Sequence, residues 1–482
     1  MSGEAQHRRA RRRPPADRDG ARERPQRRGP ARTVQPARRV AYDVIRAVSD
    51  ADAYANLLLP SAIAAAGLGA QDSALATELT YGTLRRRGTY DAIIAEAAAR
   101  PVSQIDPAIL DALRLATHQL LATRVASHAA VNESVNIVAA TQGRGAASFA
   151  NAVLRRISRE TPGQWQERIE RAARSDDERL ALRTAHPVWV IRALRRALAA
   201  EGRGDELDAL LEADNASPHV TLVALPGLAE PAEPRRPYAP TAFGSPGGDP
   251  HTVVAASGGL VRVQDEGSQL VALALAAAAP ITGGERWLDL CAGPGGKTAL
   301  LAAIAHQHGV AMEANEVVPA RAGLVRNALR PVPGDVPVHE RDGRELARSR
   351  QGEFTRILVD APCTGLGALR RRPEARWRKS PADVAELVPL QTELLTAAID
   401  ALAPGGIVAY VTCSPHLAET TGVVEDVLRT RDDVEQLDAE AVVRGVALSP
   451  IDLAGDGSGR VQLWPHRHGT DAMFLALLRK RP

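Results

Sequence analysis

The stretch LDLCAGPGGKTALL, residues 288–301, reads as a buried strand, a tight turn of small residues and the start of a helix. A Walker loop ending at Lys297-Thr298 requires glycine at position 291, where the chain has Cys291. The dinucleotide fingerprint also fails, because it requires glycine or alanine where Thr298 stands. The stretch therefore predicts a helix N-terminus whose free N–H groups face a polar ligand, without either of these two phosphate-binding patterns.

From residue 283 onward, short apolar strands alternate with helical patterns. Such alternation implies right-handed crossovers and predicts a parallel, doubly wound α/β sheet. No helix is predicted between the last two strands, so the final strand is expected to run antiparallel. The predicted strands are RWLDLC (286–291), GVAMEANE (309–316), VPVHERD (336–342), RILVDAP (356–362), GIVAYVTC (406–413), RVQLWP (460–465) and AMFLALLRK (472–480).

The region before this sheet has a different pattern. Residues 40–160 carry apolar side chains at three- and four-residue spacing, which predicts an all-α domain. Asp106 before Pro107 indicates a capped helix start. Residues 161–259 are predicted to form further helices and then a connector rich in proline, glycine and loops. The α/β domain is expected to occupy residues 260–482.

The charge is concentrated at the N-terminus. The chain has 482 residues, enough for two or three domains, and a formal net charge of +3. Residues 1–39 hold thirteen arginines and four acidic residues, so this arm carries +9 and the remainder −6. With so few apolar residues, the arm is predicted to be disordered. It could be merely solvated, or it could bind nucleic acid, the commonest partner of such arms.

The composition of the chain indicates the compartment in which we expect the protein. No apolar run approaches the roughly 20 residues of a membrane span, so no membrane partner is expected. Three cysteines without close pairing, Cys291, Cys363 and Cys413, argue against a disulfide framework and a zinc cluster. We therefore expect a cytoplasmic protein without a metal site.

Polar groups follow the predicted strands where an open parallel sheet binds its ligands. Glu316 is placed to accept hydrogen bonds from ribose hydroxyls, with Glu313 as its competitor, and Asp342 could accept from the amine of an adenine. A ribose and an adenine held beside a loop without a phosphate-binding pattern indicate S-adenosylmethionine as the cofactor.

Two cysteines directly follow predicted strands that are neighbours in the common methyltransferase sheet, so both thiols are expected to face one pocket. Methylation of C5 of cytosine requires a thiolate to add at C6, after which a base, either a second cysteine or water, removes the C5 proton. Asp360 could offset the charge that develops on the ring. This reasoning leaves open whether Cys363 or Cys413 is the nucleophile, and it predicts that Cys291 simply packs in the core.

The strand-end motifs are LDLCAGPGGKT (288–298), DAPCTGLG (360–367), VTCSPHLAET (411–420) and GTDAMF (469–474). In this order and spacing they resemble the RsmB-like (Fmu/Sun) RNA cytosine-5 methyltransferases. The segments ELTYGTLRRR (78–87), HAAVNESV (128–135) and NAVLRRI (151–157) resemble the NusB-type helical RNA-binding domain that precedes the catalytic domain in that family.

The resemblance implies roles for individual residues. Cys413 is the implied nucleophile, and Cys363 is implied to assist product release. The implied cofactor and active-site residues are Cys291, Ala292, Gly293, Pro294, Gly295, Gly296, Lys297, Glu316, Asp342 and Asp360.

The leading hypothesis is thus a monomeric enzyme that methylates C5 of a cytosine in structured RNA, with 16S ribosomal RNA as the expected substrate. One alternative is a non-catalytic RNA-binding or antitermination factor, which the retention of Cys363, Cys413 and Asp360 opposes. Another is a methyltransferase for DNA or a small molecule, which the helical RNA-binding region opposes.

Overall fold

A computed structural model describes residues 34–50 and 53–482. The predicted disordered arm therefore lies almost wholly outside the described residues. Helix α1 (Pro36–Asp50) begins four residues before the predicted start of the helical domain. Among the described residues, no helix is long and apolar enough to cross a membrane.

The first part of the chain is entirely helical, as predicted. Its apolar side chains, including the fully buried Leu79, Ile94 and Ile137, form one core. The Asp106 carboxylate accepts from two N–H groups at the start of α5, so this helix begins where its sequence predicts. The helices after α1 are α2 (Ala55–Ala65), α3 (Ala70–Arg85), α4 (Arg87–Ala98), α5 (Pro107–Ala122) and α6 (Ser127–Ile157), with a kink in α6 at Gly143 and a 3₁₀ turn at Val102–Gln104.

The region predicted as linker helices and connector contains more regular structure than expected. A small antiparallel sheet, in the order β2-β1-β3, forms around the predicted loop-rich connector, with β3 just beyond the predicted boundary at residue 259. Its strands have only three or four residues, too few for an alternating pattern to appear in the sequence. The elements are α7 (Pro162–Glu170), α8 (Asp176–Thr184), α9 (Val188–Ala200), a 3₁₀ turn (Gly204–Glu206), α10 (Leu207–Asn215), β1 (Thr221–Ala224), β2 (Ala242–Gly244), α11 (Pro250–Ala256) and β3 (Val261–Val263).

The C-terminal region is an α/β fold around a sheet in the order β10-β11-β8-β7-β4-β5-β6, with β9 also paired to β11. The elements are α12 (Glu266–Ala277), β4 (Arg286–Asp289), α13 (Gly296–Gln307), β5 (Ala311–Asn315), α14 (Pro319–Leu329), β6 (Val338–His339), α15 (Gly343–Arg348), β7 (Phe354–Asp360), a 3₁₀ turn (Leu366–Ala368), α16 (Ala375–Arg378), α17 (Pro381–Ala401), β8 (Leu402–Thr412), a 3₁₀ turn (Leu417–Glu419), α18 (Thr421–Thr430), β9 (Val434–Gln436), α19 (Ala439–Val446), β10 (Val461–Gln462), α20 (Pro465–His468) and β11 (Phe474–Lys480).

The pairing of these strands confirms the predicted doubly wound sheet. Strands β6, β5, β4, β7 and β8 are parallel, and β11 runs antiparallel to β8, as expected. Two details differ from the prediction: β9 was missed, and the short helix α20 separates the last two strands.

Helices cover both faces of this sheet. Leu358 of β7 packs on one face with α12, α13 and α14, whereas its neighbours Ile357 and Val359 pack on the other face with α15, α17 and α18. This alternation is what buries a central strand on both sides.

Residues 366–380, here called the bridging segment, connect the sheet edge to the helical region. The Glu374 carboxylate accepts from the N–H of Ala55 at 3.2 Å. The Trp377 ring lies so close to Gly88 that a Cβ built on this glycine would be 2.1 Å from it. The loop that follows β7 is therefore packed directly against the N-terminal helices.

Candidate active site

The parallel strands bring the predicted site residues to one edge of the sheet. Because neighbouring parallel strands end on the same side, their following loops converge there. The loop after β4 and the residues after β5, β6, β7 and β8 all lie at this edge. The loop after β4 supplies Cys291 to Lys297, and Glu316 and Asp342 follow β5 and β6. Asp360 is the last residue of β7, Cys363 follows it, and Cys413 follows β8.

The glycine-rich turn is shaped by Gly295, which has φ 89° and precedes α13. A Cβ at this position would lie 2.7 Å from the Cβ of Ala328 and 2.9 Å from the Cα of Val325, so only glycine fits. At Gly293, φ is 55° and a Cβ would meet nothing within 4 Å. The turn therefore has open space beside Gly293. The first N–H groups of α13 lack partners within the helix.

Glu316 is anchored to this turn. Its two carboxylate oxygens accept from the N–H groups of Gly293 and Val318, each at 2.9 Å. Glu313 has another role, because Arg350, His339 and Arg286 hold its carboxylate, and the Arg350 hydrogen bond in particular lowers its pKa to about 2. Of the two competing carboxylates, only Glu316 contacts the glycine turn.

Asp342 lies at the same edge and caps α15. It accepts from the backbone N–H of Arg344 at 2.8 Å, and the Arg344 guanidinium lowers its pKa to about 2. The carboxylate is ionised at neutral pH, and a ligand would share it with Arg344.

Two buried oxygens near the turn have no hydrogen-bond partner within the described part of the chain, Asp289 Oδ1 and Gln264 Oε1. The other oxygen of Asp289 accepts from the Thr298 hydroxyl at 2.7 Å, and burial raises the pKa of this carboxyl to about 7. The Gln264 amide lies against Gly296. A buried acceptor without a donor costs free energy of folding. These two oxygens therefore suit a ligand that brings hydrogen-bond donors, such as an ammonium group.

Lys297 forms an ion pair with Asp360, with 2.7 Å between Nζ and Oδ2. Burial alone would lower the pKa of Lys297, but the attraction of the Asp360 carboxylate outweighs it and raises the pKa. The pair joins the glycine turn to the end of β7 and places a fixed positive charge beside the cysteines.

The sulfur atoms of Cys363 and Cys413 lie 3.4 Å apart, within hydrogen-bond distance. The hydrogen bond between them lowers the pKa of Cys413, to which the positive charges of Arg372 and Lys297 also contribute. The same bond raises the pKa of Cys363, with burial and the Glu419 carboxylate acting in the same direction. Cys413 is thus the more acidic of the two thiols, and the Cys363 thiol is placed to donate to its thiolate.

Cys291 is placed differently. Its side chain packs against the apolar core on one face of the sheet. Burial raises the pKa of this thiol well above its usual range, which keeps it protonated and unreactive.

Glu419 is a site residue that the sequence reasoning missed, although it lies within the motif 411–420. Its carboxylate is fully buried and accepts from the N–H of Thr364 at 2.8 Å, from the Ser414 hydroxyl at 2.6 Å and from the Gln391 amide at 3.2 Å. Thr364 and Ser414 directly follow Cys363 and Cys413. Glu419 therefore ties the two cysteine loops together.

Comparison with known proteins shows which families this chain resembles. Residues 276–479 match the family model for 16S rRNA methyltransferase RsmB/F, and residues 35–159 match the NusB family. A Mycobacterium tuberculosis protein named as a methyltransferase is 50% identical, over 95% of this chain and 99% of its own length.

Two further similarities extend over most of the chain. Ribosomal RNA small subunit methyltransferase B of Pseudomonas syringae pv. tomato is 30% identical, over 92% of this chain and 96% of its own length. The solved structure of PH0851 has a TM-score of 0.77 and 23% identity, covers 93% of this chain and 99% of its own, and supports the fold.

Proposed function

Because the chain belongs to the RsmB/F family of 16S rRNA methyltransferases, we propose that it transfers a methyl group from S-adenosylmethionine to C5 of a cytosine in structured RNA. The proposed substrate is 16S ribosomal RNA. The observation that supports this reaction most directly is the 3.4 Å contact between the sulfurs of Cys363 and Cys413. C5 methylation needs a thiolate nucleophile and, beside it, a group that can accept the C5 proton.

The residues at the sheet edge fit the proposed cofactor. Glu316 would accept from the ribose hydroxyls, and Asp342 is the candidate acceptor for the adenine amine. The unpaired oxygens of Gln264 and Asp289 suit the ammonium of the amino acid part, while the turn at 291–297 offers close backbone approach. When bound there, the cofactor supplies an electrophilic methyl group on a sulfonium.

In the proposed first step, the Cys413 thiolate adds to C6 of the cytosine and forms a C6–S bond. Electron density moves toward N3 and C5, which makes C5 nucleophilic. Asp360 would contact the polar edge of the ring at N3, and its partner Lys297 offsets charge there. C5 would then take the methyl group, whose bond to the cofactor sulfur would break with its electron pair left on that sulfur as a neutral thioether.

The second step restores the aromatic ring. A base, for which Cys363 or a bound water is the candidate, removes the proton from C5. The hydrogen bond to Cys413, which is the main cause of the raised pKa of Cys363, is lost once Cys413 is in the adduct. The C6–S bond then breaks, and its electrons return to Cys413 as a thiolate. We assign the release step to Cys363 because its sulfur touches the proposed nucleophile.

Access to the base requires the cytosine to leave its stack, as for other enzymes that act on a base within a helix. The NusB-type region is proposed to supply sequence-independent contacts to phosphates, so affinity should fall as salt rises.

The direct test is methyl transfer by the purified chain to 16S ribosomal RNA from a strain that lacks it. With S-adenosylmethionine present, bisulfite sequencing should reveal a new 5-methylcytosine, and Cys413→Ser should reveal none. Methyl groups found only on other atoms, or on no RNA at all, would contradict the proposal.

A further inference from the structure

A groove of about 500 Å³ lies beside the candidate active site and is used by none of the steps above. One wall is His416 to Ala418, which begins three residues after Cys413, and Pro381 adds to the lining. Three residues span at most about 11 Å, so the groove lies within reach of whatever adjoins the reacting base.

The opposite wall is one face of helix α9. Trp189, Arg192, Ala193 and Arg196 line the groove and are spaced three and four residues apart, so they share one stripe of the helix. The other face of α9 is packed in a core through residues such as Ile191. The packed face fixes the helix, and the stripe is therefore held rigidly toward the groove.

This stripe combines an aromatic ring with positive charge. Arg192 is paired with Asp177 at 2.8 Å. Arg196 is exposed and has neither an ion pair nor a hydrogen bond to any residue that the structure describes. Trp189 is partly buried against the core, which holds its ring in place at the groove.

The facing wall brings no competing negative charge to Arg196. The Nδ1 atom of His416 accepts from the N–H of Ala418 at 3.2 Å, which orients the ring. Leu417 and Ala418 are apolar. The groove thus presents a flat ring, a guanidinium that has no partner among the described residues, and a facing wall that is mostly apolar.

We propose that this groove binds an unpaired nucleotide next to the target cytosine, with its base stacked on Trp189 and its phosphate at Arg196. The inference rests on the proposed RNA substrate and names the surface that holds its flanking strand. Single-stranded RNA is bound through such combinations of aromatic rings and arginine, because every base offers a stacking face and every nucleotide a phosphate.

The test compares Trp189→Ala, Arg196→Ala and the control Arg195→Ala in methylation of protein-free 16S ribosomal RNA. Arg195 lies on the same helix, is paired with Asp177 at 2.7 Å and does not line the groove. We expect Trp189→Ala and Arg196→Ala to raise KM for RNA about tenfold, while the Kd of S-adenosylmethionine stays within twofold. Arg196→Ala should also reduce, by about one, the slope of the logarithm of the RNA binding constant against the logarithm of salt concentration.

One additional variant and one additional substrate separate the possible explanations. Trp189→Phe retains a ring and should restore most of the affinity that Trp189→Ala loses. Equal KM values for Arg195→Ala and Arg196→Ala would overturn the proposal, since a diffuse positive field would then suffice. Defects seen only with assembled ribosomal subunits would assign the groove to a protein partner and would also overturn it.

Failure of the proposed groove can be distinguished from failure of the proposed methylation reaction. A wild-type chain that methylates no RNA would contradict the proposed function. An active wild type that the groove variants match in KM would overturn the groove alone.

Discussion

The sulfur atoms of Cys363 and Cys413 are 3.4 Å apart, although 50 positions separate the two residues in the chain. Their contact follows from the parallel pairing of β7 with β8, which ends both strands at the same edge of the sheet. One thiol can therefore stabilise the thiolate of the other, and the two cannot act independently.

The cysteine pair leads to the first prediction. Cys413→Ala should abolish methyl transfer and leave the Kd of S-adenosylmethionine nearly unchanged, because it removes only the proposed nucleophile. Cys363→Ala should accumulate a covalent protein–RNA adduct, visible as a slowly migrating band under denaturing conditions. If the two phenotypes were exchanged, Cys363 would be the nucleophile.

A second prediction concerns the charge at Lys297. Lys297 lowers the pKa of Cys413, whereas Asp360 raises it. Lys297→Met should therefore raise the pKa of this thiol, so that less thiolate is present at a given pH. The acid limb of the pH–rate profile for adduct formation should move to higher pH.

The control for that profile is Lys379→Met. Lys379 lies at the surface in an ion pair with Asp383, and its replacement should leave the acid limb in place. An unchanged profile for Lys297→Met would separate Lys297 from the ionisation of Cys413.

A third prediction tests Glu419. In Glu419→Gln, one acceptor oxygen becomes an N–H₂ group, which then faces either the Thr364 N–H at the Oε1 position or the Ser414 hydroxyl at the Oε2 position. Such mismatched buried donors cost about 1–3 kcal/mol, so unfolding free energy in urea should fall by that amount and adduct yield should fall as well. Glu386→Gln, on the exposed face of α17, should change neither quantity.

A fourth prediction uses Asp214, whose carboxyl is fully buried and has no hydrogen-bond partner for either oxygen within the described residues. Burial raises its pKa to about 7, above the usual value near 4. Between about pH 4 and 7 the unfolded chain has lost this proton while the folded chain keeps it. The contribution of Asp214 to stability is therefore full below pH 4 and declines as the pH rises toward 7.

Asp214→Asn should remove this decline. The variant should exceed the wild type in unfolding free energy by about 2–4 kcal/mol at pH 8, with a much smaller difference at pH 4. Asp208→Asn, on the same helix and mostly exposed, should show no such pH dependence. A gain at pH 4 equal to that at pH 8 would contradict the assignment.

Much of the fold could be predicted from the sequence because its signals are local. Most strands of the parallel sheet are mainly apolar and end in a polar residue, although β6 contains only Val338 and His339. The α5 cap lies in two adjacent residues. The small sheet was missed, because its strands are short and lie among prolines and glycines. Strand β9 has only three residues and was missed for the same reason.

The sequence could predict the site residues that lie at the ends of strands. Cys363, Cys413 and Asp360 could be placed by their position after β7 and β8. Glu419 could not, because its partners come from loops that meet only in the folded chain. The stripe of α9 escaped notice as well, since an arginine-rich helix face is ordinarily solvated and nothing in the sequence shows what it opposes.

The bridging segment has a consequence for the autonomy of the two regions. It starts only a few residues after Cys363 and packs Trp377 against Gly88 of the N-terminal helices. A catalytic fragment released from those helices would expose this indole, and the Arg378 guanidinium would lose the Val48 carbonyl that accepts from it at 2.6 Å. Cleavage between the regions would thus disturb the cysteine loops through the bridging segment. The two regions are better regarded as one structural unit than as interchangeable modules.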